Sequence, residues 1–265
     1  ENYFVNEPIH RIFHNQAEKD FWRKKSKTEE LGAFLSSEFT TLNSVRNPEG
    51  SSAVLQSGRL DVERFFSGIL SYLKKKDNFV SERFDYDLLD VDNRCYNGQI
   101  KFDKIIFAEG MGVRNNPFFA GISLNPNKGH RIRVKLQNPL CDAVTVKKKH
   151  FLFHLRDNNY YYGGTYDRQD LSEKINPDAV SQLEDGLKEI YPDNFTVENA
   201  DFGFRPTVKD RRPLLGEHPD YPGFYVFNGL GARGILNASY FAEMLYRHAE
   251  FGELLPNEVH WQRTL

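Results

Sequence analysis

Gly229, Gly231 and Gly234 stand at G-x-G-x-x-G spacing within GFYVFNGLGARGILNASYFAEML. Glycines so placed let a backbone turn tightly and approach a ligand, and they open a helix whose first N–H groups can meet negative charge. The apolar run 224–227 precedes them and a helix-like run, 235–246, follows. Strand, glycine loop, helix is the order of a dinucleotide-binding fingerprint. That fingerprint also uses a following strand and an acidic residue about 20 positions on. Glu250 and Glu253 lie near that distance, but 251–265 contains Pro256 and no strand-like run. The motif is therefore not expected to hold a dinucleotide by itself. What it supplies is a turn that presents backbone N–H groups, with Arg233 adding a full positive charge.

Other residues suit substrate binding. Arg205, in GFRPTVKDRRPLLG, can hold a carboxylate through two parallel bonds. Tyr160, Tyr161 and Tyr162 read as strand, so Tyr160 and Tyr162 share one face. A phenol there can donate to a substrate or cover it. His150 and His154 share an even spacing, but a metal site needs a third ligand, and none is expected. His130, beside Gly129, is a candidate pocket residue. Cys95 and Cys141 do not form a secreted disulfide framework and are expected to be inert. No His or Cys constellation for nucleophilic catalysis stands out.

The elements that must carry these residues are legible in outline. Asp61 caps a helix whose Val62, Phe65, Phe66, Ile69, Leu70 and Leu73 fall on one face, a stripe expected to pack on a sheet. Candidate strands follow at 79–83 and 85–91, with a hairpin turn at Asn97-Gly98. KIIFA, 104–108, lacks alternation and reads as a buried parallel strand ending in a second glycine turn at Gly110. Two runs, 150–155 and 160–165, joined by Asp157-Asn158-Asn159, read as a hairpin. Asn176-Pro177 opens a helix with Val180, Leu183, Leu187 and Ile190 on one face. A short strand is expected at 202–205.

At 265 residues, 39% of them hydrophobic, the chain can bury a large core. A formal charge of −2 gives no reason to expect a nucleic-acid partner. No apolar run reaches the roughly 18 residues of a membrane span. A start at Glu1 without a leader pattern reads as a processed or truncated product in a reducing, cytoplasmic setting, with peripheral membrane attachment left open.

GFRPTVKDRRPLLG resembles the R-P-x-x-x-D-x-x-P-x-x-G signature of the flavin-dependent amino-acid oxidase superfamily, which includes D-amino-acid oxidases and dehydrogenases, glycine oxidase and sarcosine oxidase. YYYGGTYD resembles that family's strand ending in G-G-T, the segment around Lys128-Gly129-His130 its basic-glycine turn, and KIIFAEGMG its return strand ending in A-x-G. The order matches from about Ser57 to Arg247. The resemblance implies an α+β fold, an antiparallel-sheet substrate domain interleaved with part of a Rossmann-like flavin domain. Its expected boundaries are 1–56 and 113–202 for the substrate domain, 57–112 and 203–250 for the flavin domain, and 251–265 as a tail.

The resemblance further implies FAD as cofactor, with Gly110, Gly129, Gly229, Gly231, Ala232, Arg233, Gly234 and Ile235 on the flavin side. Arg205, Tyr160, Tyr162 and Arg233 would face substrate, and no residue is assigned the chemical step. The family's opening strand, first glycine motif and acidic ribose ligand have no counterpart, so the chain looks like the C-terminal three quarters of such an enzyme. The AMP half of FAD would then lack its fingerprint. The implied activity is oxidation of a C–N bond in a small amine or amino acid by hydride transfer to flavin N5. Two alternatives keep parts of the picture: the same fold acting in tRNA wobble-base modification, and a binding module that has lost flavin.

Overall fold

The structure, a computed structural model, describes residues 3–140 and 144–264; Cys141 lies outside them. The chain divides into two compact units, each discontinuous in sequence: residues 1–81, 129–165 and 173–202, and residues 82–128, 166–172 and 203–265. The helix after Asp61, expected in the flavin part, groups with the first unit, and 251–265, expected as a tail, is integral to the second.

The first unit is organised by a seven-stranded sheet in the order Phe195–Arg205, Asn127–Leu136, Asn159–Gly163, Phe151–His154, Thr145–Lys147, Ile9–Ile12, Ser51–Val54. The hairpin forms as its turn residues dictate, since Asp157 and Asn158 adopt φ of 50° and 67°, which Asn and Asp tolerate better than other side chains. The strand expected at 202–205 is the end of a much longer one. Helices α1 (Gln16–Lys25), α2 (Val62–Lys75) and α3 (Pro177–Ile190) belong to this unit. Asn176 caps α3 by accepting a bond from the Asp178 N–H. The α3 stripe of Leu183, Leu187 and Ile190 shares one core with Ile132, Val134, Leu152, Tyr160 and Tyr162. Each buried leucine contributes about 1.5–3 kcal/mol.

Helix α2 departs from expectation. Asp61 caps it, accepting from the Arg64 N–H at 3.2 Å. Yet no α2 residue is buried, and Val62, Phe66, Ile69 and Leu70 are exposed. An amphipathic stripe specifies that a helix can pack, not that the described chain supplies the surface.

In the second unit, Ile105–Phe107 pairs in parallel with Phe224–Asn228, which pairs antiparallel with Leu214–Glu217. The unalternating KIIFA is thus parallel as expected but not buried throughout: Phe107 is buried, whereas Ile106 is 52% exposed. Helix α4 (Gly234–Phe251) packs Leu245 with Leu215, Tyr225 and Val259. A small antiparallel meander, Leu89–Asp90, Cys95–Tyr96 and Ile100–Lys101, turns at Asn97-Gly98 with φ of 50° and 65°. Residues 79–83 form no strand, and Tyr86–Leu88 is a 3-10 turn. The C-terminal segment is fixed by buried Trp261, which donates to the Glu217 carbonyl at 3.0 Å, and by the Leu215 N–H, which donates to Val259 O at 2.8 Å. No helix among the described residues is long and apolar enough to cross a membrane.

Candidate active site

Parallel pairing sets the site's position. Because Ile105–Phe107 and Phe224–Asn228 run the same way, their C-terminal ends lie side by side, where open α/β sheets bind ligands. The two glycine turns therefore leave the sheet at one edge. Asn228 Nδ2 donates to the Gly110 carbonyl at 2.9 Å, and the Asn228 side-chain oxygen accepts the Gly229 N–H at 2.8 Å. Gly110, Gly229 and Gly231 adopt φ of 54°, 73° and 57°. The segment after Gly110 is anchored by Glu109, which accepts from Tyr86 Oη and from Asn116 Nδ2. Burial first, and the Glu109 carboxylate second, raise the Tyr86 phenol above its usual range.

At Gly231 the backbone comes close to a neighbour: a Cβ would lie 2.8 Å from Thr207 Cγ2. The turn leads into α4, whose N-terminus carries no side-chain cap. Its first-turn N–H groups and the positive dipole end are left for something else to satisfy.

A cavity of about 770 Å³ opens here, entirely within the second unit. Gly229, Gly231, Ala232 and Arg233 form one wall; Asn127, Tyr166, Arg168, Thr207 and Lys209 are among the others. Gly234 and Ile235 begin α4, and Ile235 is exposed. Arg205 is not itself a lining residue. It donates to Asn127 Oδ1 at 2.6 Å and lies over the Tyr166 ring at 4.3 Å, and these two residues line the cavity.

Lys128 opens the basic-glycine turn. It is fully buried and donates to Asp170 Oδ2 at 2.8 Å, Ser172 O at 2.6 Å and Ser172 Oγ at 3.3 Å. Its backbone exchanges bonds of 2.7 and 2.9 Å with Asp167. The Lys128 ammonium and the Ser172 hydroxyl hold the Asp170 carboxyl well below the usual range. This bridge fixes the segment 166–172, which carries Tyr166 and Arg168 to the cavity. A contact 42 residues apart in sequence left no local signal.

Gly129, Tyr160, Tyr162, His130 and His150 belong to the first unit. Tyr160 and Tyr162 are 3% and 1% exposed, and their rings pack in the core beneath α3. The even spacing that put them on one face was sound, but that face is the helix-covered one. Tyr160 Oη accepts the Leu140 N–H at 3.1 Å. His150 pairs through Nδ1 with the Gly164 carbonyl at 3.1 Å, and its buried Nε2 has no hydrogen-bond partner among the described residues. This is the neutral tautomer with Nδ1 protonated. Burial foremost holds its pKa below 6.5.

A sequence-family profile described as DAO, FAD dependent oxidoreductase, matches residues 7–247. The chain belongs to this family. Glycine oxidase of Geobacillus kaustophilus is 26% identical over 147 residues, covering 52% of this chain and 38% of that protein. The tRNA 5-methylaminomethyl-2-thiouridine biosynthesis bifunctional protein MnmC of Aromatoleum aromaticum is 41% identical over 173 residues, covering 58% of this chain and 27% of that protein. The chain thus matches well under half the length of these curated relatives. The crystal structure of glycine oxidase from Geobacillus kaustophilus superposes with a TM-score of 0.76 at 19% identity, over 95% of this chain and 73% of that one. Iminodiacetate oxidase from Chelativorans sp. BNC1 gives 0.72 at 19% identity, over 98% and 76%. The fold is glycine oxidase-like, and members of this DAO family are FAD-dependent oxidoreductases.

The residues present fit a flavin edge at the late glycine turn. Gly231 leaves no room for a side chain against Thr207, and the uncapped α4 offers N–H groups where Ala232 and Arg233 line a cavity.

Proposed function

We propose that this chain supplies the substrate side and the flavin-ring side of an enzyme that oxidises a C–N bond in a small amine or amino acid. The observation that carries the reading is a cavity bounded by the glycine turn before α4 and by Asn127 and Tyr166, each of which contacts Arg205. Bound there, FAD would supply the hydride acceptor for the substrate carbon. Gly229, Gly231, Ala232 and Arg233 would hold its ring edge, and the α4 N-terminus would stabilise negative charge developing there. Arg205 would grip the substrate carboxylate and fix the Cα–H, with Asn127 and Tyr166 limiting the guanidinium's rotation.

The test is anaerobic reduction of the flavin-loaded protein by amino acids, followed at the flavin absorption band. Arg205→Ala is expected to cost carboxylate substrates about 2–5 kcal/mol, or roughly thirtyfold to several thousandfold in kcat/KM. Unchanged kinetics would remove Arg205 from the site. The similarity to MnmC favours a second reading, the same oxidation on a tRNA-borne amine. No mobility shift of tRNA at physiological salt would dismiss it.

A further inference from the structure

The cavity is charged with one sign. Among its lining residues Arg168, Lys209, Arg211 and Arg233 are cationic, and none is acidic. None of the four has an ion-pair partner among the described residues. Acids stand beside them in sequence, but each is turned to other work. Asp210, between Lys209 and Arg211, is gripped by Arg263 through bonds of 2.8 and 3.1 Å. Arg263 foremost lowers its pKa, so it stays charged and committed. Asp167, before Arg168, accepts the N–H groups of Gln169 and Asp170 at 2.7 and 3.1 Å. Asp170 is taken by Lys128.

Two separate segments thus sequester their carboxylates and leave their cations on one cavity. Arg211 also adopts a φ of 60°, a left-handed conformation that a non-glycine residue holds only when its surroundings enforce it. All four side chains are exposed, so they stand at the mouth of the cavity, and a cleft lined by one sign of charge raises the local concentration of anions. One carboxylate held by Arg205 would leave this charge unanswered.

We propose that the substrate carries a second acidic group, a carboxylate or a phosphate, received by Arg168, Lys209 and Arg211. The amine chemistry rests on the oxidoreductase reading above; the anion subsite does not. The test pairs calorimetry of the flavin-loaded protein against acetate, malonate and inorganic phosphate with anaerobic flavin reduction by sarcosine and by iminodiacetate. Malonate or phosphate is expected to bind at least tenfold more tightly than acetate, the tighter of the two naming the group. R168Q/K209Q, and separately R211N, since Asn accepts a left-handed backbone, are expected to erase most of that ratio. They should also lower the kcat/KM ratio of iminodiacetate to sarcosine about tenfold.

Equal binding of acetate, malonate and phosphate would overturn the subsite, even if sarcosine reduces the flavin. A malonate or phosphate preference abolished by the variants, with no amine reducing the flavin, would uphold the subsite and sink the oxidation reading. Binding of tRNA that the same variants abolish, with malonate and phosphate no tighter than acetate, would overturn the small diacid in favour of a phosphodiester backbone.

Discussion

At the scale of single residues, Gly231 carries a double requirement. Its φ of 57° belongs to the left-handed region, and a Cβ would sit 2.8 Å from Thr207 Cγ2. Gly252, which ends α4, shares the first requirement at φ 68° but has nothing within 4 Å of a Cβ. Both Gly231→Ala and Gly252→Ala are therefore expected to lose about 1–2 kcal/mol of stability from backbone strain. Only Gly231→Ala should also displace the loop before α4 and weaken FAD affinity, by tenfold or more. Urea unfolding together with a flavin titration separates the two effects; equal flavin affinity in both variants would exclude the glycine turn from the cofactor site. The glycines of this turn were legible because backbone conformation is a local property. The partners of Arg205 were not, since Asn127 lies 78 residues away and no periodicity connects them.

Among the elements, α3 and the segment 166–172 illustrate two kinds of stabilisation. Leu187, on the inward stripe of α3, is completely buried. Leu187→Ala should cost about 2–5 kcal/mol through lost burial and a residual cavity, whereas Asn176→Ala, removing only the cap, should cost about 1 kcal/mol. Denaturant midpoints at constant slope would check both. The segment 166–172 depends instead on one charged anchor. Asp170→Asn leaves the Lys128 ammonium buried without its counter-charge, so it should lower Tm by more than the double replacement Lys128→Met/Asp170→Leu, which removes both charges. The reverse order would show that Lys128 is held mainly by Ser172. Caps, the hairpin and the unalternating parallel strand were readable because their causes lie within a few residues. Helix α2 shows the limit of such reading, as its stripe was plain while its packing surface was not.

Over the whole molecule, titration sets two windows of acid sensitivity. His150 is neutral in the fold with its pKa below 6.5, so the unfolded chain binds the proton more readily. Its contribution is complete above about pH 6.5 and is lost as pH falls from there through the depressed folded value. Asp170 and Asp210 are depressed as well, Asp170 by Lys128 and Asp210 by Arg263. Their contributions stand above about pH 3.9, the ordinary carboxylate value, and disappear only below it. Tm is expected to fall between pH 7.5 and 5.5, and this fall should shrink in His150→Gln. A pH dependence unaltered in that variant would place the proton uptake elsewhere.

The sequence by itself determined the capped helices, the hairpin, the two glycine turns, the parallel strand ahead of the first and the family to which the arginine-proline stretch points. Each follows from backbone preference or from side-chain period, which act over a few residues. Only the tertiary structure decided which of these features share a cavity. Parallel pairing of Ile105–Phe107 with Phe224–Asn228 brings Gly110 and Gly229 to one end of the sheet, and the buried Lys128–Asp170 bridge carries Arg168 to the cavity that Gly229, but not Gly110, lines. The tertiary structure also turned Tyr160 and Tyr162 inward, because α3 covers the face they share. Period 2 places residues on a common face, but which face is buried depends on what packs against it.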